Sequence, residues 1–147
     1  MKIMSVILAH PYPNSFNHAL FQQAVQVLET NGHRVFSHDL YLEKFDPVLP
    51  KSDLAIGSVP AEIKNYVDEM LESDGMIFIH PNWWGQPPAI LKGWIDRVFR
   101  NGVAYKFEEG DSGGGMPIGL LTGKIGVVFN TSNTAADRER DFFGDPV

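Results

Sequence analysis

The stretch MIFIHPNWWGQPPAILKGWIDRVF, Met76 to Phe99, holds a strand, a loop and a helix in succession. Met76 to Ile79 is an unbroken apolar run, the pattern of a strand covered on both faces, as in parallel sheets. From Pro88 onward Ile90, Leu91, Trp94, Ile95, Val98 and Phe99 recur at helical spacing and make one continuous apolar face. Between them lies HPNWWGQPP, which puts Trp83 and Trp84 side by side in a loop bounded by proline and glycine. Strand, short connection and amphipathic helix form the unit from which an α/β fold with a parallel sheet is built.

The flanking sequence repeats that unit. Ile3 to Ala9 is a second buried apolar strand, followed by the loop HPYPNS and a helix with Phe16, Leu20, Ala24, Val27 and Leu28 on its apolar face. Asn31-Gly32 ends that helix, with Gly32 as a left-handed cap. Arg34 to Asp39 alternates as a shorter strand, and Leu40 to Gly57, with Pro47 and Pro50, reads as connection. Pro60 opens a helix whose face is Ile63, Tyr66, Val67, Met70 and Leu71, stopped at Asp74-Gly75. After the Trp94 helix ends at Asn101-Gly102, the glycine-rich span Gly110 to Gly123 reads as loop. Ile125 to Phe129 is a fourth strand, and NTSNTAADRERDFFGDPV completes the chain. Residues 1–147 read as a single doubly wound domain with helices on both faces of the sheet.

Composition narrows the function. The 147 residues are 44% hydrophobic and 20% charged, an ordinary globular balance. Eighteen acidic against twelve basic residues give a net charge of −6, and no basic stripe suits nucleic acid. The absence of cysteine excludes disulfides and thiol chemistry and fits a reducing, cytoplasmic setting. The apolar start is too short to span a bilayer and carries no small-residue cleavage site, so no membrane insertion is expected. His10, His18, His33, His38 and His80 lack metal-ligand spacing. A Ser-His-Asp triad can be assembled on paper, but without a G-x-S-x-G elbow a hydrolase is set aside. The run AADRERD reads as a solvated helix face.

In open parallel sheets ligands bind outside the carboxyl ends of the strands, at the switch point in strand order. Three loops collect there: HPYPNSFN, HPNWWGQPP and NTSNT. The first has no dinucleotide or P-loop signature, yet Ser15 and Asn17 at a helix start either cap the helix or hold an anion. His10 either hydrogen-bonds a phosphate or satisfies a loop carbonyl. In the third loop Asn133 or Thr134 either caps a following helix or, with Thr131 and Ser132, offers donors to a heterocycle. Trp83 and Trp84 either plug a gap under the next helix or lie along a planar ring.

Taken together, LAHPYPNSFN, HPNWWGQPPAILKGWIDRVFRNGVAYKF and NTSNT resemble the flavodoxin-like NAD(P)H:quinone oxidoreductases of the DT-diaphorase and potassium-efflux ancillary type. The resemblance covers most of the chain in order and spacing. It implies a homodimeric flavoenzyme with FMN or FAD bound non-covalently. NADH or NADPH would reduce the flavin, which then reduces a quinone-like acceptor in a ping-pong cycle. By position, His10, Ser15, Phe16 and Asn17 would hold the phosphate and ribityl end. Pro81, Asn82, Trp83, Trp84 and Gly85 would line the isoalloxazine, and Thr131, Ser132, Asn133 and Thr134 would meet its other edge. Two departures stand out. The family continues into a fifth parallel strand and a closing helix, whereas this chain stops at Asp145-Pro146-Val147, a C-terminally shortened version. It also often places a Tyr and a His after the fourth-strand loop, where AADRERDFFGDP has neither. No side chain is therefore assigned a proton-transfer role. An alternative is a non-catalytic regulatory or interaction domain that keeps the shell. A one-electron flavodoxin carrier fits less well, because HPYPNS is not a hydroxyl- and glycine-rich phosphate loop.

Overall fold

A computed structural model describes residues 1–54, 58–108, 110 and 114–144. The elements in chain order are β1 (Ile3–Leu8), α1 (Phe16–Thr30), β2 (Arg34–Asp39), α2 (Ala61–Glu72), β3 (Gly75–Pro81), α3 (Ala89–Val98), β4 (Tyr105–Lys106), β5 (Ile118–Gly119), β6 (Ile125–Thr131) and α4 (Ala136–Phe143). β2, β1, β3 and β6 lie in that order in one sheet, every pair parallel. The chain runs outward from β1 to β2 on one side and from β3 to β6 on the other. The switch point therefore falls between β1 and β3.

Alternate strand residues face opposite sides of a sheet, so an apolar run fills two cores at once. Met4, Val6 and Leu8 of β1, with Ile77 and Ile79 of β3, pack against Leu20, Phe21, Ala24, Val25 and Leu28 of α1. On the opposite face Ile7, Ala9 and Met76 meet Ile63, Val67 and Met70 of α2 and Ile90, Leu91, Trp94 and Val98 of α3. Helices thus cover both faces, as the apolar runs require. Gly93 lets α3 sit against Pro47 of the β2–α2 connection, where a Cβ would meet the Pro47 carbonyl oxygen at 2.2 Å. Gly32 follows the last turn of α1 at φ +77°, the left-handed cap expected there.

Three expectations need correction. Phe16, Val27 and Leu71 are exposed, because the buried stripe of α1 turns toward Phe21 and Val25 and that of α2 runs through Ile63, Tyr66, Val67 and Met70 without reaching Leu71. The glycine-rich span is not all loop: Ile118–Gly119 pairs antiparallel with Tyr105–Lys106, although residues 111–113 lie outside the described residues. Among the described residues β6 pairs with β3 alone and lies at the edge of the sheet, with Ile125, Val128 and Phe129 exposed. Finally, α4 begins after Ala135 with no side-chain cap, so neither Asn133 nor Thr134 takes that role. Residues 55–57 of the expected connection and the Asp145-Pro146-Val147 end lie outside the described residues.

Candidate functional site

The three loops meet at the carboxyl edge, held there by a few specific bonds. Asn17, 3% exposed, donates through Nδ2 to the Thr131 hydroxyl at 2.9 Å, and that hydroxyl donates back to Asn17 Oδ1 at 3.3 Å. The Asn82 amide donates to the Thr131 carbonyl at 2.7 Å, tying the middle loop to the third. Thr131 is thus the junction of all three.

Ser15 is the N-cap of α1: its hydroxyl oxygen accepts from the His18 amide at 3.2 Å. The amides of Phe16 and Asn17, the next two donors of the helix, have no partner among the described residues and sit at the positive end of the helix dipole. Capping and donor presentation therefore coexist here. His10 closes its own loop: its Nδ1 lies 3.1 Å from the Tyr12 amide, from which it accepts when bare, and 3.3 Å from the Tyr12 carbonyl, to which it donates when protonated.

The middle loop turns tightly. Trp83 and Gln86 exchange backbone hydrogen bonds of 3.0 and 3.2 Å around Trp84 and Gly85. Those two residues have φ of +59° and +71°, the pair of positive angles that a type I′ turn demands. Glycine adopts this freely, but a tryptophan there is strained by about 1–3 kcal/mol. The Asn82 side-chain oxygen steadies the turn by accepting from the Gly85 amide at 2.8 Å. Neither indole plugs the core. Trp83 is 43% exposed and Trp84 101%, while the core position belongs to Trp94, at 2%.

Two adjoining cavities open over this edge. One, of about 330 Å³, is lined by His10, Ser15, Phe16, Asn17, Pro81 and Trp83, with Asn82 and the Thr131–Thr134 loop. The other, of about 530 Å³, shares Asn82, Ser132 and Thr134 and adds Trp84, Gly85, Gln86 and Glu139. Every residue singled out by sequence lines one of the two. Sequence reasoning missed Gln86 and Glu139. The Glu139 side chain accepts from the Ser132 hydroxyl at 2.5 Å and is the one Asp, Glu, Lys or Arg among the residues lining either cavity. Its signal is faint in the sequence, since every neighbour in DRERD is also charged.

A family model described as Flavodoxin-like fold matches residues 1–145. The chain belongs to that flavodoxin-like family. Among its relatives, a Haemophilus influenzae protein named an uncharacterised NAD(P)H oxidoreductase is 37% identical over 141 residues, covering 93% of this chain and 67% of the relative. NAD(P)H dehydrogenase [quinone] 1 of Cavia porcellus is 37% identical over 123 residues, covering 69% of this chain and 44% of that protein. The flavodoxin-like chain thus spans two thirds of one relative and under half of the other. Among solved structures, the NAD(P)H:quinone oxidoreductase of Methanothermobacter marburgensis superposes with a TM-score of 0.78 at 25% identity, over 99% of this chain and 79% of that one. In this flavodoxin-like chain the switch point between β1 and β3 is where the loops and cavities gather, in keeping with the rule for open α/β sheets. No helix among the described residues is long and apolar enough to cross a membrane.

Proposed function

We propose that this chain is a flavin-dependent NAD(P)H oxidoreductase that reduces quinones or similar small acceptors, with FMN or FAD held non-covalently at the carboxyl edge of the sheet. The observation that carries the reading is the convergence of three loops on two adjoining cavities, which present helix amides with no partner among the described residues together with the exposed rings of Trp83 and Trp84. That donor set fits a flavin. His10, Ser15, Phe16 and Asn17 would hold the phosphate and ribityl end, where helix amides and the His10 ring are available. Pro81, Asn82, Trp83, Trp84 and Gly85 would line the ring system with aromatic surface and the Trp84 amide, which has no partner among the described residues. Thr131, Ser132, Asn133 and Thr134 would meet the other edge with hydroxyl and amide donors. A bound flavin supplies hydride acceptance from NADH or NADPH and hydride return to the acceptor in a ping-pong cycle; the protein supplies orientation, electrostatics and exclusion of water. The names of the two relatives support the same reductant and, in one case, a quinone acceptor. We extend the reading to a homodimer, as the resemblance implies.

Incubation with FMN or FAD followed by desalting tests the proposal: protein that stays colourless sinks it. A specific observation favours a second reading. After β6 the described residues bring a carboxylate, Glu139, to the cavity but no Tyr or His. Flavin retained without NAD(P)H-dependent reduction of menadione would make this a regulatory or interaction domain instead.

A further inference from the structure

The Ser-His-Asp set available only on paper in the sequence is assembled in the structure. Ser15 Oγ lies 2.9 Å from His18 Nδ1, and His18 Nε2 lies 2.9 Å from Asp39 Oδ2. The His18 and Asp39 side chains are 12% and 14% exposed, and Ser15 opens on the cavity. Asp39 is fixed from behind, its Oδ1 accepting from the Tyr41 and Leu42 amides at 3.1 Å each. The groups that face His18 are Asp39 from the end of β2, the Ser15 hydroxyl from the cap of α1, and His10 from the loop after β1. The His10 ring stands edge-on with centroids 6.3 Å apart.

Donor and acceptor counting gives this chain two states. An ionised carboxylate only accepts, so His18 Nε2 carries a proton in both. With the ring neutral, Nδ1 is an acceptor and the Ser15 hydroxyl must point inward to donate to it. With the ring cationic, Nδ1–H donates to Ser15 Oγ, which already accepts from the His18 amide. The Ser15 hydrogen is then free to turn into the cavity. A phosphoryl oxygen there needs a donor and selects the second state.

We infer that His18 and Asp39 are a positioning pair that couples uptake of one proton to the grip of Ser15 on the phosphoryl oxygen of the bound cofactor. The inference rests on the flavin reading and concerns its phosphate end. The proton comes from solvent to His18 Nδ1, the Ser15 hydroxyl rotates, and no covalent bond to the ligand forms. Asp39 holds the cationic ring in place, and His18 touches the ligand only through Ser15.

The test compares FMN with riboflavin, which lacks the phosphate, by fluorescence titration between about pH 7 and 9. That window lies above the second phosphate ionisation near 6, so the ligand charge is constant. In the unaltered protein the affinity ratio of FMN over riboflavin falls by up to about tenfold per pH unit. Calorimetry in two buffers of different ionisation heat then reads uptake approaching about one proton per FMN. In His18→Gln the ratio becomes flat and the uptake vanishes. Asp39→Asn keeps an oxygen for the Tyr41 and Leu42 amides and reduces the uptake, which serves if His18→Gln does not fold. A slope that persists in His18→Gln would assign the proton to His10 and overturn the inference. So would FMN binding to the unaltered protein without proton uptake. If neither flavin binds at any pH, the flavin reading itself fails, a result distinct from tight binding with a flat ratio.

Discussion

At the scale of single residues, Trp84 is where local geometry and composition disagree. A fully exposed indole at φ +59° gains nothing from burial and bears the strain of a left-handed backbone. Trp84→Gly relieves that strain, so urea unfolding should show stability unchanged or raised by up to about 1 kcal/mol. Trp84→Ala keeps the backbone strain and should show no gain. In both variants flavin retention should fall well before folding does; a large stability loss with retention intact would return the indole to a packing role. Glu139 sets a different property. As the carboxylate among the lining residues, it disfavours anionic ligands by about 1 kcal/mol at a few ångströms in a well-solvated cavity. Glu139→Gln should therefore raise kcat/KM for a sulfonated naphthoquinone several-fold relative to menadione. Equal changes for both acceptors would count against a charge effect. Neither feature was legible beforehand. The exposure of Trp84 depends on a turn type set by two dihedrals, and the inward turn of Glu139 depends on the rotation of α4 about its axis.

At the scale of elements, the match between sequence and structure follows the physics of each segment. β1, β3 and α3 were readable because their apolar residues are continuous or keep one strong period, and burial on both faces of a parallel sheet demands that pattern. The β4–β5 pair was not, since it joins segments separated by a glycine-rich span and depends on register rather than on local pattern. The Ser15–His18–Asp39 chain likewise depends on where β2 delivers Asp39 beside the first turn of α1. Gly93 shows how closely elements meet. On an isolated helix Gly→Ala stabilises by about 1 kcal/mol, but here the added Cβ would overlap Pro47 backbone and side chain. The overlap wins, and Gly93→Ala should cost about 3 kcal/mol or more in chemical denaturation. A neutral result would mean that α3 slides freely over the connection.

At the scale of the whole molecule, a buried polar node ties three separate segments together. His38 of β2 faces Glu43 in the following connection at 3.1 Å and Glu69 of α2 at 2.5 Å, while the Tyr66 hydroxyl donates to Glu43 at 2.7 Å. Burial alone would push the His38 imidazole down, but hydrogen bonds and charge from Glu43 and Glu69 outweigh it and hold its pKa above 6.5. A group raised on folding stabilises fully below its unfolded value and loses that contribution as pH rises through the folded one. The urea midpoint should therefore fall as pH climbs above about 6.5, and this limb should flatten in His38→Gln. An identical slope in the variant would place the linkage elsewhere. The same global arrangement sorts the three indoles by environment. Trp94 stands among the rings of Tyr66, Phe78 and Phe99, shut away from water, while Trp83 and Trp84 stand at the cavity mouth. The chain thus carries two separable emitters, a blue-shifted one that reports melting of the interior and a red-shifted, iodide-quenchable one that reports occupancy of the edge. Loss of either signal without the other identifies which half of the architecture has given way.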